Sequence, residues 1–466
     1  MTLNPVKFVL ILAVLASVIL YLMPASIGVE PQVMKAGAVI ILAIGLWSTA
    51  IVPSSFGSLI FLFVAVVLAI APANVVFSGF HSGATWLVFG GLVFGLGVKK
   101  TGLDTRLVRS LLMHFPKLYI AMIYGVFWIG TVLAFVVPSA AGRVAVLVPI
   151  MAALAKELGF GANAEGASNG RTGLILAASM GTMIPAFNIL PANVPNMALY
   201  GAADSLLNIQ LTYTDYFLLN FPVMGFFPLL VYPAVIAILF KDTPRHPEKT
   251  EQSKPWSGDE KRLLVILLFA LVLWITDSSH GISPAWVSLG AAIICLLPRL
   301  GMLPPSVLGG EINYGPVLFL AGVIGLGAVA NYAGLGTLIA ELVLQLFEFQ
   351  KGADFQNYAA ISLTGIVVGL FTTMPAQPSI MVSMAVVLSE ATGWSQMSIV
   401  MSAMTAWGVF PFFYQTPPVV VAVALGNLKI SEVTKMLLIY MILGILVMLP
   451  LHFLWGQYMG MFIVAN

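Results

Sequence analysis

Long apolar runs separated by short polar stretches make up most of this chain. Runs near 7–23, 35–52, 56–72 and 83–98 predict four helices in the first hundred residues. A basic amphipathic stretch, KKTGLDTRLVRSLLMHFPK, follows at 99–117. The next run, 119–155, is interrupted at Pro138, Ser139 and Gly142. Runs at 172–200 and 216–240 then precede a polar linker at 241–262. The second half offers 262–277, 284–298, 313–334, an interrupted run at 355–392, and runs at 396–425 and 434–457. Backbone groups in lipid must be satisfied within the protein, so each run is expected to be a helix or a protein-shielded hairpin. Residues 7–23 read as a first span rather than a cleaved leader, because the run is long and further spans follow.

Composition agrees with that reading. The chain is 60% hydrophobic and 8% charged, whereas soluble proteins carry roughly 25% charged residues. A β-barrel would alternate within segments of about ten residues, and these runs are continuous. The expected fold class is therefore an all-α polytopic membrane protein. A net charge of +2 gives no electrostatic footprint for a nucleic acid. Cys295 is the single cysteine, and the five histidines are scattered without an HExxH or paired-ligand spacing, so no transition-metal site is expected. The acidic residues fall in or beside the expected loops, which leaves no mid-span proton relay and no acidic dyad for an intramembrane enzyme. A channel would need a continuous polar lining, and the spans carry none beyond their breaks.

Charge sets the expected topology. With the N-terminus cytoplasmic and both interrupted runs returning to their own side, 17 of the 20 Lys and Arg lie on the cytoplasmic side. Lys35 and Lys351 fall outside, and Arg143 falls within the membrane. That asymmetry is the positive-inside pattern. Treating either interrupted run as a single crossing inverts everything after it. The count thus predicts eleven crossings, two re-entrant hairpins and an outside C-terminus.

The two halves also resemble each other. FGGLVFGLG at 89–97 matches FLAGVIGLG at 319–327, VVPSAAGR at 136–143 parallels TMPAQPSI at 373–380, and PANVPN at 191–196 parallels FYQTPP at 413–418. The offsets are 230, 237 and 222 residues, in one order. The first hairpin is expected to open to the cytoplasm and the second to the outside, so the repeat is inverted. Inverted repeats with breaks at matching places point to a secondary transporter with its site near the midplane.

The breaks carry the chemistry. Helix starts there present unpaired N–H groups suited to an anion, and unwound carbonyls suit a small cation. The first tip is Pro138-Ser139-Ala140-Ala141-Gly142, and the second is Pro375-Ala376-Gln377-Pro378-Ser379. Facing them are Ala192, Asn193 and Asn196 between prolines, and Gln415 and Thr416 before Pro417 and Pro418. Mid-span amides either bind a ligand or bond neighbouring helices. Arg143, four residues after Ser139, has two open readings: it snorkels toward the cytoplasmic face near Lys156, or it stays beside the tip as a fixed cation.

These tips, broken helices, the GLVFGLGVKKTGL segment and the mid-chain linker resemble the divalent anion/Na⁺ symporter family, the SLC13-like or INDY-like transporters of dicarboxylates, citrate and sulfate. The resemblance covers nearly the whole chain. It implies a homodimer in the inner membrane that works by an elevator motion. The transport parts would be 119–240 and 355–466, the scaffold parts 1–118 and 263–354, and the linker 241–262. It implies substrate contacts from Ser139, Ala140, Ala141, Arg143, Asn196, Gln377, Pro378, Ser379, Thr416 and Pro417. It implies sodium contacts from Ser139, Ala192, Asn193, Ala376, Gln377, Gln415 and Thr416, with sodium as coupling ion and no other cofactor. The family's Ser-Asn-Thr tips are only partly kept: the first reads Ser139-Ala140-Ala141, the second Ala376-Gln377-Pro378. Asn193 stands where a threonine is expected, and Arg143 where the family places a small residue. The first expectation is therefore sodium-coupled transport of a small divalent anion, a C4-dicarboxylate foremost. The alternative is a sodium-independent exchanger in which Arg143 replaces a coupling cation.

Overall fold

A computed structural model describes residues 5–23, 29–49, 51–103, 106, 118–137, 139–163, 166–244, 255–372, 374–410, 412 and 415–464. Pro138, most of the basic stretch at 107–117, and 245–254 of the linker lie outside the described residues, as do the side chains of Ala141 and Pro417.

The described chain is helical apart from a two-residue antiparallel pair, Ala162–Asn163 with Gly166–Ala167. The scaffold region of the first half holds α1 (Pro5–Leu22), α2 (Pro31–Thr49), α3 (Ser54–Val67) and α4 (Gly83–Thr101). There follow α5 (Tyr119–Val136), α6 (Ala140–Glu157), α7 (Asn169–Met183), α8 (Val194–Leu207) and α9 (Tyr213–Leu239). The second half runs through α10 (Gly258–Ile275), α11 (Pro284–Leu296), α12 (Gly315–Tyr332) and α13 (Leu335–Leu346). It ends with α14 (Asp354–Phe371), α15 (Gln377–Ser383), α16 (Ala385–Thr392), α17 (Gln396–Ser402), α18 (Thr405–Gly408), α19 (Pro417–Gly426) and α20 (Ile430–Tyr458). Among the described residues, α2, α9, α12 and α20 are long and apolar enough to cross a membrane.

Both interrupted runs double back. Tyr119, where α5 starts, sets its ring edge-on to Phe160, just past α6, with centroids 5.8 Å apart. Its hydroxyl donates to the Phe240 carbonyl at 2.8 Å, and Asp242 accepts from the Gly170 N–H at 2.8 Å. The same end of the molecule holds the Arg106–Glu260 and Lys100–Glu311 ion pairs. In the second half, Asp354 at the start of α14 accepts from the Trp394 indole, just past α16, at 2.8 Å. That mouth lies at the opposite end, because α9 and α20 run antiparallel between the two: Tyr232 meets Tyr440 midway, and Trp455 donates to Leu218 near the far end. The two helix pairs therefore open in opposite directions.

The halves interlock. Each broken helix packs on the other half's doubled-back pair: α8 lies against α15, and α19 lies against α6. Matching irregularities support the repeat. A π-helical turn sits at Phe221–Gly225 in α9 and another at Gly444–Met448 in α20, 223 residues later. Residues 335–346 carry no expected span, yet α13 forms there as the most strongly amphipathic helix described. It follows α12 as the basic stretch 99–117 follows α4. The apolar faces of α1, α10 and α20 stay exposed at residues such as Ile19, Val265, Phe269 and Leu446, as lipid contact requires.

Candidate functional site

The first break is wider than the sequence pattern suggests. It spans 184–193 as two short 3-10 turns, Pro185–Asn188 and Leu190–Ala192, rather than centring on 191–196. Pro185 is the cause: it has no N–H to give the Gly181 carbonyl. The Thr131 hydroxyl takes that carbonyl instead, at 3.0 Å. Helices α5 and α7 cross closely enough that a Cβ on Gly130 would lie 2.5 Å from the Thr182 nitrogen, which brings the C-terminal end of α7 to the first tip.

Arg143 fills the space this creates. Only 1% of it is exposed, so it does not snorkel. Its Nε donates to the Thr182 hydroxyl at 2.7 Å and its Nη2 to the Thr182 carbonyl at 2.9 Å. Its Nη1 donates to the Ala192 carbonyl at 3.1 Å and to the Val137 carbonyl. Val137 is the C-cap of α5 and Thr182 lies in the last turn of α7. Both are helix C-termini, where carbonyls lack intrahelical partners and the dipole favours a cation. The guanidinium thus joins the first tip to the first break through carbonyls, with no carboxylate among these partners.

The second break solves the same problem with neutral groups. Gln415 Nε2 donates to the Gly369 carbonyl in the last turn of α14 at 2.6 Å, and its Oε1 accepts from Phe412 N–H at 3.0 Å. Gln377 Nε2 donates to the Ala406 carbonyl in α18 at 3.3 Å. Gly369 is required beside them, since a Cβ there would lie 2.0 Å from Gln377 Nε2. The Met374 N–H to Gln415 carbonyl contact, at 3.4 Å, ties the second tip to the second break.

The remaining residues expected at the site divide into engaged and unengaged groups. Ser139 caps α6 by accepting from Gly142 N–H at 3.1 Å. Asn196 donates to the carbonyls of Ala186 and Ile189, each at 2.9 Å, and accepts from the Trp407 indole at 3.2 Å. Thr416 donates to Met183 Sδ at 3.0 Å, which joins the two breaks. Ala140, Ala192, Ala376 and Pro378 are buried around them. By contrast, Asn193 Nδ2, Gln377 Oε1 and Ser379 Oγ are buried without a hydrogen-bond partner. Asn193 and Thr416 are the N-caps of α8 and α19, and neither side chain caps its helix. The N–H groups that open α8 and α19 are thus left without side-chain caps, and prolines at N1 or N2 pre-set both turns. Such helix starts bind anions.

Thr182, Thr131, Trp407 and Asn188 have no motif to announce them. Asn188 alone had a visible signal, since it lies in the break between Pro185 and Pro191. Among the described residues, no cluster of His, Cys, Asp or Glu is placed to hold a metal.

Two inverted, interlocked halves whose broken helices meet at a buried polar junction form a membrane-transporter fold. The crystal structure of the Alcanivorax borkumensis YdaH transporter shares it, with a TM-score of 0.51 over 98% of both chains at 14% identity. The chain belongs to the sodium:sulfate symporter family, whose transmembrane-region model matches residues 4–462. It is 25% identical over 309 residues to a putative malate transporter of Bacillus subtilis strain 168, covering 64% of each. It is 27% identical over 275 residues to the L-tartrate/succinate antiporter of Escherichia coli K12, covering 57% of this chain and 56% of that one. The matches thus span less than two thirds of these curated relatives.

Proposed function

We propose that this protein is a sodium-independent exchanger of small dicarboxylates, most specifically C4 dianions, in the bacterial inner membrane. One observation carries the reading: hydrogen-bond donors of the chain itself occupy the carbonyls that a coupling cation would use. Arg143 takes those of Val137, Thr182 and Ala192, and Gln377 and Gln415 take those of Ala406 and Gly369. A guanidinium cannot lose its charge in a protein, so the positive field at the first tip is permanent. A sodium ion there would have to displace it. This arrangement favours exchange over the sodium symport typical of the resemblance.

The anion is placed by the α8 and α19 helix starts, with Asn193 and Ser379 as side-chain donors. Arg143 lies behind the first tip and offsets the anion's charge without being spent on it. The doubled-back pairs α5–α6 and α14–α16 act as re-entrant hairpins, open to the cytoplasm and the outside respectively. They move with the broken helices as one transport body against a scaffold built on α1–α4 and α10–α13, in a homodimer with cytoplasmic N-termini.

Exchange has a distinct kinetic signature. Purified protein in liposomes loaded with unlabelled succinate should take up external labelled succinate, and empty liposomes should not. Uptake into empty liposomes driven by an inward sodium gradient would overturn the exchange reading.

A further inference from the structure

Two buried amide oxygens at the junction call for a donor that a plain dianion does not have. Asn188 is fully buried, and its Nδ2 donates to the carbonyls of Ile184 at 3.3 Å and Pro185 at 3.4 Å. Turning the amide over would set its oxygen against those two carbonyls, so Oδ1 is fixed on the side away from them, and it has no partner. Gln377, 1% exposed, is held in the same way. Its Nε2 must face the Ala406 carbonyl, which leaves Oε1 unpartnered.

The segment from Ala406 to Phe410 brings the two amides to one place. Gln377 bonds it at Ala406, Asn196 of the first half bonds it at Trp407, and Phe187, the neighbour of Asn188, sets its ring against Phe410 at 6.0 Å. This is the junction onto which α8 and α19 open. Ionised carboxylates only accept hydrogen bonds. They satisfy the helix N–H groups, Asn193 and Ser379, but can offer nothing to Asn188 Oδ1 or Gln377 Oε1. A buried acceptor left unpaired costs the full desolvation of that group.

We propose that the substrate is a hydroxylated C4-dicarboxylate, and that Asn188 Oδ1 and Gln377 Oε1 accept its hydroxyl hydrogens as specificity-determining groups. This deepens the transport reading and rests on it. A 2-hydroxy acid engages one amide and a 2,3-dihydroxy acid engages both, so the order of preference is tartrate, then malate, then succinate. Sites built to hydrogen-bond a substrate hydroxyl discriminate strongly against analogues that lack it.

The test is competition for labelled malate counterflow in proteoliposomes by unlabelled tartrate, malate and succinate. The wild type is expected to show half-inhibition by tartrate at a concentration at least about tenfold below that for succinate. In Gln377→Met, which keeps length but removes the acceptor, that ratio is expected to fall severalfold toward one. Succinate competing as well as tartrate in the wild type overturns the inference, whether or not the variant folds. A wild-type preference that Gln377→Met leaves untouched overturns the assignment to this residue. Absence of counterflow with every C4 dianion fails the transport reading itself, and the inference with it.

Discussion

The two breaks face one physical problem and answer it differently. At each, helices stop inside the protein and leave carbonyls to be satisfied. The first break uses a cation, with one guanidinium bonding Val137, Thr182 and Ala192. The second uses two neutral amides on Gly369 and Ala406. The repeat therefore preserved the geometry but not the charge. A buried charge is expensive unless paired and hydrogen-bonded, and Arg143 is hydrogen-bonded without a carboxylate among its described partners. The fixed positive field this leaves suits a protein that carries dianions, and it exists on one side of the site only.

Removing the cation should have the largest effect. Arg143→Ala leaves the Val137, Thr182 and Ala192 carbonyls without their donor, at roughly 1–3 kcal/mol each. Folded yield should drop sharply, and the fraction that folds should show no counterflow. Arg143→Lys keeps the charge but loses the planar fork, so it should melt above Arg143→Ala and retain partial exchange. Equal behaviour of the two would mean that charge does not matter there.

Disturbing the second break should cost stability more than function. Gln415→Leu removes the donor to Gly369 and the acceptor for Phe412, at about 2 kcal/mol. The melting temperature in detergent should fall by a few degrees, while exchange per folded molecule persists. Loss of exchange at an unchanged melting temperature would erase the distinction between the breaks. A smaller change is Thr182→Val, which takes only the hydroxyl from Arg143 Nε and should cost about 1 kcal/mol.

The smallest effect lies at the end of the molecule away from both breaks. Glu260 is held below the ordinary carboxylate range, chiefly by the hydrogen bond from Arg106 and further by Ser257, with which it forms a capping box. A depressed carboxylate stabilises above its unfolded pKa, and the contribution is lost as pH falls through the folded value. Acidification below about pH 4 should therefore loosen this contact, and Glu260→Gln should remove that acid sensitivity. The expected shift is about 1–2 °C in melting temperature, because the pair is partly at the surface.

What could be read along the chain follows from what apolar helices can and cannot signal. Proline and glycine mark breaks whatever surrounds them, so the 373–380 tip and the 136–143 tip were legible, and basic residues marked the ends. Helices apolar all round carry no periodicity, so the face that each presents to its neighbours was not legible. The reach of Arg143 to Thr182 and Ala192, 39 and 49 residues away, depends on how α5 and α7 cross. The width of the first break depended on Pro185 rather than on the Pro191–Pro195 pair that drew attention. Asn188 emerged only once its amide was seen to be held by its own 3-10 turn. The helix at Leu335–Leu346 was missed because it is short and amphipathic in a chain scanned for long apolar runs.

The central claim is that Arg143 stands permanently where a coupling cation would bind. The most direct test is succinate counterflow in proteoliposomes prepared in choline medium free of sodium, followed by titration with sodium chloride at constant ionic strength. The account predicts a full rate without sodium and no change on its addition. A rate near zero that rises saturably with sodium would contradict it.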